Sequence, residues 1–270
     1  MGLIILLITY VFTHVMTQLW PRVYKIVLSM NGSQQRRLHF VAEYFVDQEK
    51  YYYLLLLHMF ICYYMILFVL LVTGMSLYTY LQYACGMFKI ASYRFESTMK
   101  IYVSQNIMQR NENLLHKGIV RAIDIQRNAM MICEYLMSTF EVMFMYLIGL
   151  GVMLLTLNIF RAFQIISSGY KIEELGMCYL SSLSCLIYMF LSNFVGQEVT
   201  DHYNYVFDTI YNIQWYLAPL HIQKLTVFLM QRGNKSFGLN VAGLFVASLQ
   251  CFAMLANSSV SYFLVLYSIR

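Results

Sequence analysis

Long stretches without charged residues dominate the pattern of hydrophobic and polar positions along this chain. Asp, Glu, Lys and Arg are absent from five windows, 1–21, 51–88, 142–160, 175–197 and 236–269. Each window can hold a helix of the roughly 20 residues that cross a bilayer, so we predict five spanning helices in an all-α transmembrane bundle. A sixth charge-free window is too short to span and contains Pro219, so we expect it at the membrane interface or packed on protein.

The spans divide the chain into three predicted parts. Residues 1–195 form the bundle, with spans near 3–20, 53–77, 136–160 and 175–195 and a long connector at 78–140. Residues 196–238 form helices outside the membrane, and residues 239–270 form a C-terminal spanning helix. In the long connector, Ile119, Ala122, Ile123, Ile125 and Met130 recur at near-helical spacing between charged residues, which indicates helices that continue out of the membrane.

The last span carries polar residues as well as apolar ones. Gly243 and Ala247 are four residues apart, a spacing at which small side chains let helix backbones approach closely. Polar groups are costly in lipid unless they face protein or water. One face of this helix is therefore expected to meet other helices or a water-filled path, unless the serines bond only to their own backbone. The polar residues are Asn257, Ser258, Ser259 and Ser261.

Composition agrees with a membrane protein. The chain is 60% hydrophobic and 11% charged, with a mean hydropathy of +0.59, whereas soluble domains carry about 25% charged residues. The net charge of +5 is spread over the connectors without a basic run, which argues against binding nucleic acid. The six cysteines form no C-x-x-C pair, so neither a disulfide framework nor a zinc site is indicated. Nothing in the sequence indicates a cofactor.

Two other functional classes, membrane enzymes and transporters, fit the residues less well. A membrane enzyme would need a clustered acid–base or metal set. The candidates are Glu198, Asp201 and His202, which are better explained as the solvated face of a helix. A transporter would show an inverted repeat and charges at mid-membrane, and neither is evident. The triplet Asn31-Gly32-Ser33 matches the N-glycosylation pattern and makes Asn31 a candidate acceptor.

The distribution of Lys and Arg gives a weak prediction of orientation. With five spans, connectors 78–140 and 196–238 lie on one side and hold ten of the eighteen basic residues. Positive residues favour the cytosolic side. This assignment places the N-terminus inside, and Asn31 and the C-terminus outside.

Five stretches carry a resemblance to a known family: EYFVDQEKYYYLLLLH, YACGMFKIASYRFE, NFVGQEVTDHYN, YNIQWYLAPLHIQKLTVFLMQRG and NVAGLFVASLQCFAMLANSSVSYFLVLYS. Together they resemble insect odorant receptors, most closely those of ants, bees and wasps. The resemblance implies a ligand-gated, non-selective cation channel of seven spans, in the plasma membrane of olfactory sensory neurons. It also implies a hetero-tetramer with a shared co-receptor subunit and small volatile odorants as ligands.

The five predicted spans then correspond to helices three to seven of that family, with the first two missing. A gustatory-type chemoreceptor and a non-functional truncated receptor fragment are the alternatives within this reading.

The resemblance also implies site residues. The pore and gate positions near the end of the last span fall on Val265, Ser268 and Ile269. The helices at 196–238 resemble the cytosolic domain that ties subunits together. The odorant pocket is expected near the outer halves of three spans, at His14, His58, Met59, Cys62, Tyr63, Tyr179 and Leu183.

Overall fold

The computed structural model describes residues 50–104, 111–169, 172–233 and 237–269. The chain divides into two compact units, one ending at Ser76 and one running from Leu77. The described part of the first unit, residues 50–76, is almost entirely helical. The predictions for the first span, His14 and Asn31 lie outside the described residues.

Helices make up nearly all of the described chain. They are α1 (Tyr52–Ser104), α2 (Glu112–Ser167), α3 (Ile172–Asn212), α4 (Leu220–Gly233) and α5 (Leu249–Ile269). A short 3₁₀ turn at Trp215–Leu217 precedes α4, and two short antiparallel strands, β1 (Asn240–Val241) and β2 (Phe245–Val246), precede α5.

Four helices in the described part of the chain are long and apolar enough to cross a membrane. The segments are Tyr64–Ser104, Glu112–Ser167, Cys178–Asn212 and Leu249–Ile269. Many of their large apolar side chains are exposed, including Phe68 in the first unit and Met153 in the second. Apolar surface of this extent is typical of contact with lipid. The predicted helical transmembrane bundle is confirmed.

The first two helices are too long to be spans alone. Helix α1 has 53 residues and α2 has 56, so at 1.5 Å per residue each is about 80 Å long, against about 30 Å of hydrocarbon. Residues 78–104 and 112–140 continue without a break from the spans that they adjoin. The prediction that connector 78–140 is helical is therefore confirmed for its described residues.

These extensions share one hydrophobic core within the second unit. On the extension of α2, residues 112–140, the buried positions are Leu115, Ile119, Ala122, Gln126, Ala129, Cys133 and Leu136. They alternate in steps of four and three residues, the spacing at which helices interlock side by side along a shared seam. Residues from α1, α3 and α4 complete the core, among them Phe88, Tyr203 and Ile222. The window around Pro219 belongs to this core through Ala218 and Ile222, so it packs on protein.

A β-hairpin corrects the prediction of an unbroken helix from residue 239. Gly243 and Ala242 have φ angles of +71° and +54°, and Leu244 N–H donates to the Val241 carbonyl at 3.1 Å. Two successive positive φ angles make a tight turn of the kind that joins antiparallel strands. Gly243 therefore serves this turn, and the predicted helix-packing role of Gly243 with Ala247 is wrong. Among the described residues, this small hairpin is the only β-structure in an otherwise helical fold.

The hairpin packs on α3 and sets the start of α5. Asn193 Oδ1 accepts a hydrogen bond from the Ser248 N–H at 3.2 Å. Ser248 Oγ in turn accepts from the Cys251 N–H at 3.1 Å, which is the bond of a helix N-cap. A Cβ built on Gly196 would lie 2.6 Å from the Ala247 carbonyl oxygen. Only glycine at 196 permits this approach, because any larger residue would collide with backbone.

Candidate functional site

Helix α5 is attached to the rest of the second unit along one face. Cys251, Leu255 and Ser259 are buried on that face, and Ser259 is fully buried. Cys251 and Leu255 pack with Met189 of α3 in a small second core. Thr156 of α2 donates its hydroxyl to the Ser259 carbonyl at 3.2 Å. These contacts fix which side of α5 is turned away from α2 and α3.

Aromatic side chains continue this attachment toward the end of α5. The Phe163 ring of α2 meets Phe263 and Tyr267 with centroid distances of 6.0 and 5.0 Å. Nearer the start of the helix, Phe190 of α3 meets Phe252 at 5.5 Å. All three pairs are edge-to-face, an arrangement worth about 0.5–1.5 kcal/mol beyond area burial. The helix is therefore held along most of its length.

The opposite face of α5 is polar and exposed. Gln250, Asn257, Ser261 and Ser268 are exposed and recur at intervals of seven, four and seven residues, which places them within about 40° of each other around the helix. An open groove of about 610 Å³ runs along Gln250, Ala253, Met254, Asn257, Ser258, Ser261 and Tyr262. We call the exposed set Gln250, Asn257, Ser261 and Ser268 the polar face.

The serine hydroxyls on this side donate to their own helix. Ser261 Oγ donates to the Asn257 carbonyl at 3.0 Å, and Ser268 Oγ donates to the Val265 carbonyl at 2.8 Å. Ser258 and Ser259 likewise donate to the carbonyls of Met254 and Leu255, so the alternative in which the serines of this span bond to their own backbone is observed for their hydroxyl protons. Because each hydroxyl proton is donated to a carbonyl of the same helix, the lone pairs of each hydroxyl oxygen remain free to accept hydrogen bonds. The polar face thus presents oxygen acceptors.

The two amides of the polar face are different from the serines. The side chains of Gln250 and Asn257 have no hydrogen-bond partner in the described part of the chain. An amide in an apolar medium without a hydrogen bond costs about 2–7 kcal/mol. Facing lipid would impose this cost on both residues. Water or another protein is the favourable environment for this face.

The predicted gate residues lie at the end of this helix. Val265 is 53% exposed and Ile269 is 78% exposed, and Ser268 is exposed as well. Val265 lies about 40° from Ser261 around the helix and about 60° from Ser268. Val265 and Ile269 are one turn apart, so they add an apolar edge to the polar face.

The predicted pocket residues are divided between the two units. His58 and Cys62 are exposed on α1, and the Cys62 sulfur lies 3.6 Å from His58 Nε2. The side chains of Met59 and Tyr63 lie outside the described residues. Tyr179 is 67% exposed on α3 and Leu183 is half-buried there. The grouping of these side chains into one pocket stays a prediction.

The acidic residues weighed as metal ligands are engaged by amides. Glu198 Oε2 accepts from Gln82 Nε2 at 2.6 Å, and Asp201 Oδ1 accepts from Gln197 Nε2 at 2.8 Å. Within the described ranges, no group of three or more His, Cys, Asp or Glu side chains is placed to hold a metal ion. The Gln82–Glu198 bond instead joins α1 to α3 within the second unit.

Several positioning residues were not predicted from sequence. Asn158 of α2 donates to Ser181 Oγ of α3 at 3.0 Å, and Asn193 and Thr156 anchor α5 as described above. Polar residues in an apolar span were a signal that could have identified all three. Their partners are distant along the chain, so the sequence offered no means of pairing them.

Comparison with known proteins gives one family match. The model of the family described as 7tm Odorant receptor matches residues 3–260. No curated protein matches the chain.

Proposed function

Because this chain belongs to the 7tm odorant receptor family, we propose that it is the odorant-detecting subunit of a ligand-gated, non-selective cation channel. Family membership and the four candidate spans make it a multi-pass membrane receptor of odorants. The channel activity, the tetramer and the neuronal plasma membrane belong to the proposal. The observation that carries the channel activity is the polar face of α5.

In a hetero-tetramer, this face and the corresponding helix faces of the neighbouring subunits would together line an aqueous path around a central axis. The face is turned away from α2 and α3, and the amides of Gln250 and Asn257 need water or protein. A path between subunits supplies water without exposing these groups to lipid. Hydroxyl oxygens at Ser261 and Ser268 then present acceptor lone pairs, which favour cations over anions. The large number of acceptors and the lack of fixed charges fit weak discrimination between cations.

The gate is assigned to Val265, Ser268 and Ile269. A ring of Val265 and Ile269 side chains narrows the path with apolar groups, and a narrow apolar ring excludes water until it widens. Ser268 lies beside this ring and offers an oxygen to a hydrated cation. We place the end of α5 on the extracellular side, as the distribution of basic residues predicts.

Assembly with a co-receptor is assigned to the exposed side of α4. Its buried side carries Ile222, Thr226 and Leu229. Its exposed side carries Leu220, Val227 and Phe228, which are 67%, 50% and 64% exposed. Lys224 is also exposed on this side, one turn from both Leu220 and Phe228, so the strip is mixed. Outside the membrane its three apolar side chains are still costly in water. A neighbouring subunit is the partner that would cover it.

The odorant would bind at the pocket predicted from His14, His58, Met59, Cys62, Tyr63, Tyr179 and Leu183. Burial of a small apolar molecule yields about 25 cal/mol per Å², so binding is expected to be weak, in the micromolar to millimolar range. To open the gate, the odorant must bind the open state more tightly than the closed state.

The test of the conducting face is a matched pair of valine substitutions. Val265→Ala removes two methyl groups from the proposed ring. Val260→Ala makes the same change at a position that is similarly exposed, 48% against 53%, but lies about 140° away around the helix. The subunit is co-expressed with a co-receptor, and basal leak and relative ion permeability are measured. Val265→Ala should change one or both and Val260→Ala should change neither; unchanged currents in Val265→Ala would refute the gate assignment.

A matched pair of leucine-to-serine substitutions tests whether the α4 strip binds the co-receptor. Leu220→Ser should reduce the co-receptor recovered with the tagged subunit, because the change removes apolar contact area from the α4 strip. Leu114→Ser is the control, since Leu114 is 63% exposed on α2 and lies outside the strip. Equal recovery of the co-receptor with both variants would contradict the assignment of this surface.

A further inference from the structure

Two histidines from different helices lie side by side at the surface of the second unit. His116 is on the first turns of α2 and His221 is at the start of α4, and both are exposed. Their ring centroids are 5.9 Å apart, with 41° between the ring planes. We propose that His116 and His221 form a binding site for a divalent transition metal, with zinc as the reference ion.

The backbone positions of both histidines are fixed by their neighbours in sequence. Leu115 and Ile222, the neighbours of the two histidines in sequence, are almost fully buried in the same core. Helix α4 is further fixed at its start, where Gln223 Nε2 donates to the Ala218 carbonyl at 2.8 Å. Each histidine can therefore move mainly by rotation of its own side chain. A site on rigid elements loses little entropy when the metal binds.

The distance between the rings suits a shared metal ion. Two imidazole nitrogens about 2.0 Å from one tetrahedral zinc ion place the ring centroids about 5 Å apart. The observed centroid distance of 5.9 Å exceeds this value by about 1 Å. Small rotations of the two side chains remove this difference. Imidazole is a ligand that zinc, copper and nickel accept readily.

Water completes the coordination of this site. No third His, Cys, Asp or Glu side chain in the described ranges is placed with the two histidines. Nearby charges have opposite effects on a bound metal ion. Glu112, one turn before His116 on α2, attracts the ion, whereas Lys117, next to His116, and Lys224, three residues after His221, repel it. A site with two protein ligands and open positions is reversible, and metal bound there would link α2 to α4.

Metal titration of the purified full-length chain in detergent tests the site. Zinc alone is added and binding is followed by calorimetry at a pH above the ordinary pKa of histidine. One saturable site per chain is expected. His116→Ala and His221→Ala should each weaken zinc binding by roughly a hundredfold. Each variant keeps only one imidazole, so the metal is no longer held by two ligands of the same chain. His58→Ala removes another exposed histidine and should leave the affinity unchanged.

Copper provides a second readout that does not depend on affinity. The electron paramagnetic resonance spectrum of bound Cu²⁺ should show two imidazole nitrogens in the original chain. It should show one in either single variant. The absence of saturable zinc binding, or an affinity within threefold of the original in either single variant, would overturn the proposal. A spectrum with a single nitrogen in the original chain would overturn it as well.

Discussion

Replacing Gly196 with alanine should weaken the packing of the β-hairpin against α3 and lower the stability of the protein. The new Cβ would lie 2.6 Å from the Ala247 carbonyl oxygen, and carbon–oxygen contacts are ordinarily about 3.3 Å or longer. The new Cβ would lie closer still to the Ala247 Cβ, so the backbone of the hairpin must move by at least roughly 0.7 Å. Overpacking of this kind costs about 1–3 kcal/mol, and alanine recovers about 1 kcal/mol through its higher helix propensity.

Gly176 on the same helix is the matched control. A Cβ at Gly176 meets nothing within 4 Å, so Gly176→Ala keeps the propensity gain without the collision. The difference between the two variants isolates the cost of the collision, about 1–3 kcal/mol. In a chain of this size each kcal/mol corresponds to about 2–4 °C in melting temperature.

The native cysteines supply the assay. Cys85 and Cys133 are buried in the core and Cys62 is exposed. In a Cys62→Ser background, a thiol-reactive fluorophore reports unfolding as the buried thiols become accessible. Gly196→Ala should melt several degrees below Gly176→Ala. Equal melting temperatures would refute the close approach of Gly196 to the hairpin.

Three further predictions concern the hairpin, the attachment of α5 and the odorant pocket. Ala242→Asn should raise the melting temperature, because Ala242 has a φ of +54°, a conformation that costs alanine about 1–2 kcal/mol and that asparagine adopts more readily. Phe163→Leu should lower the melting temperature, since the substitution removes two edge-to-face contacts of about 0.5–1.5 kcal/mol each. A Phe163→Tyr variant retains the ring and should melt near the original chain. Tyr179→Ala should shift the odorant concentration for half-maximal current without changing relative ion permeability; an unaltered response would argue against the place of Tyr179 in the pocket.

The spans and their extensions were predictable because their signals are local. Charge-free windows identify apolar helices without knowledge of what they contact. The repeat of Ile119 and Ala122 with later apolar residues indicated the helical connector in the same way. Spacing along one helix also indicated that Val265 and Ile269 share a face, since residues four apart lie one turn apart on a helix.

The hairpin and the anchors of α5 were not predictable by the same means. An uncharged, apolar segment is compatible with both strand and helix, so hydropathy could not show that the helix begins at Leu249. Gly243 fits a tight turn as well as a helix contact. The bond from Ser248 to Asn193 joins residues 55 positions apart, and such pairs depend on tertiary packing. Gly243, one of the two turn residues, was a local signal for the hairpin.

Water access along α5 is the measurement that tests the conducting face most directly. Serines occur on both sides of this helix, so the same substitution can be compared at matched positions. Ser261→Cys and Ser268→Cys place a thiol on the polar face, whereas Ser259→Cys places it at a fully buried position. Each variant is exposed in membranes to a charged, water-soluble thiol reagent. We expect rapid modification at 261 and 268 and none at 259; if 261 and 268 remain as unreactive as 259, the polar face does not line a water-filled path.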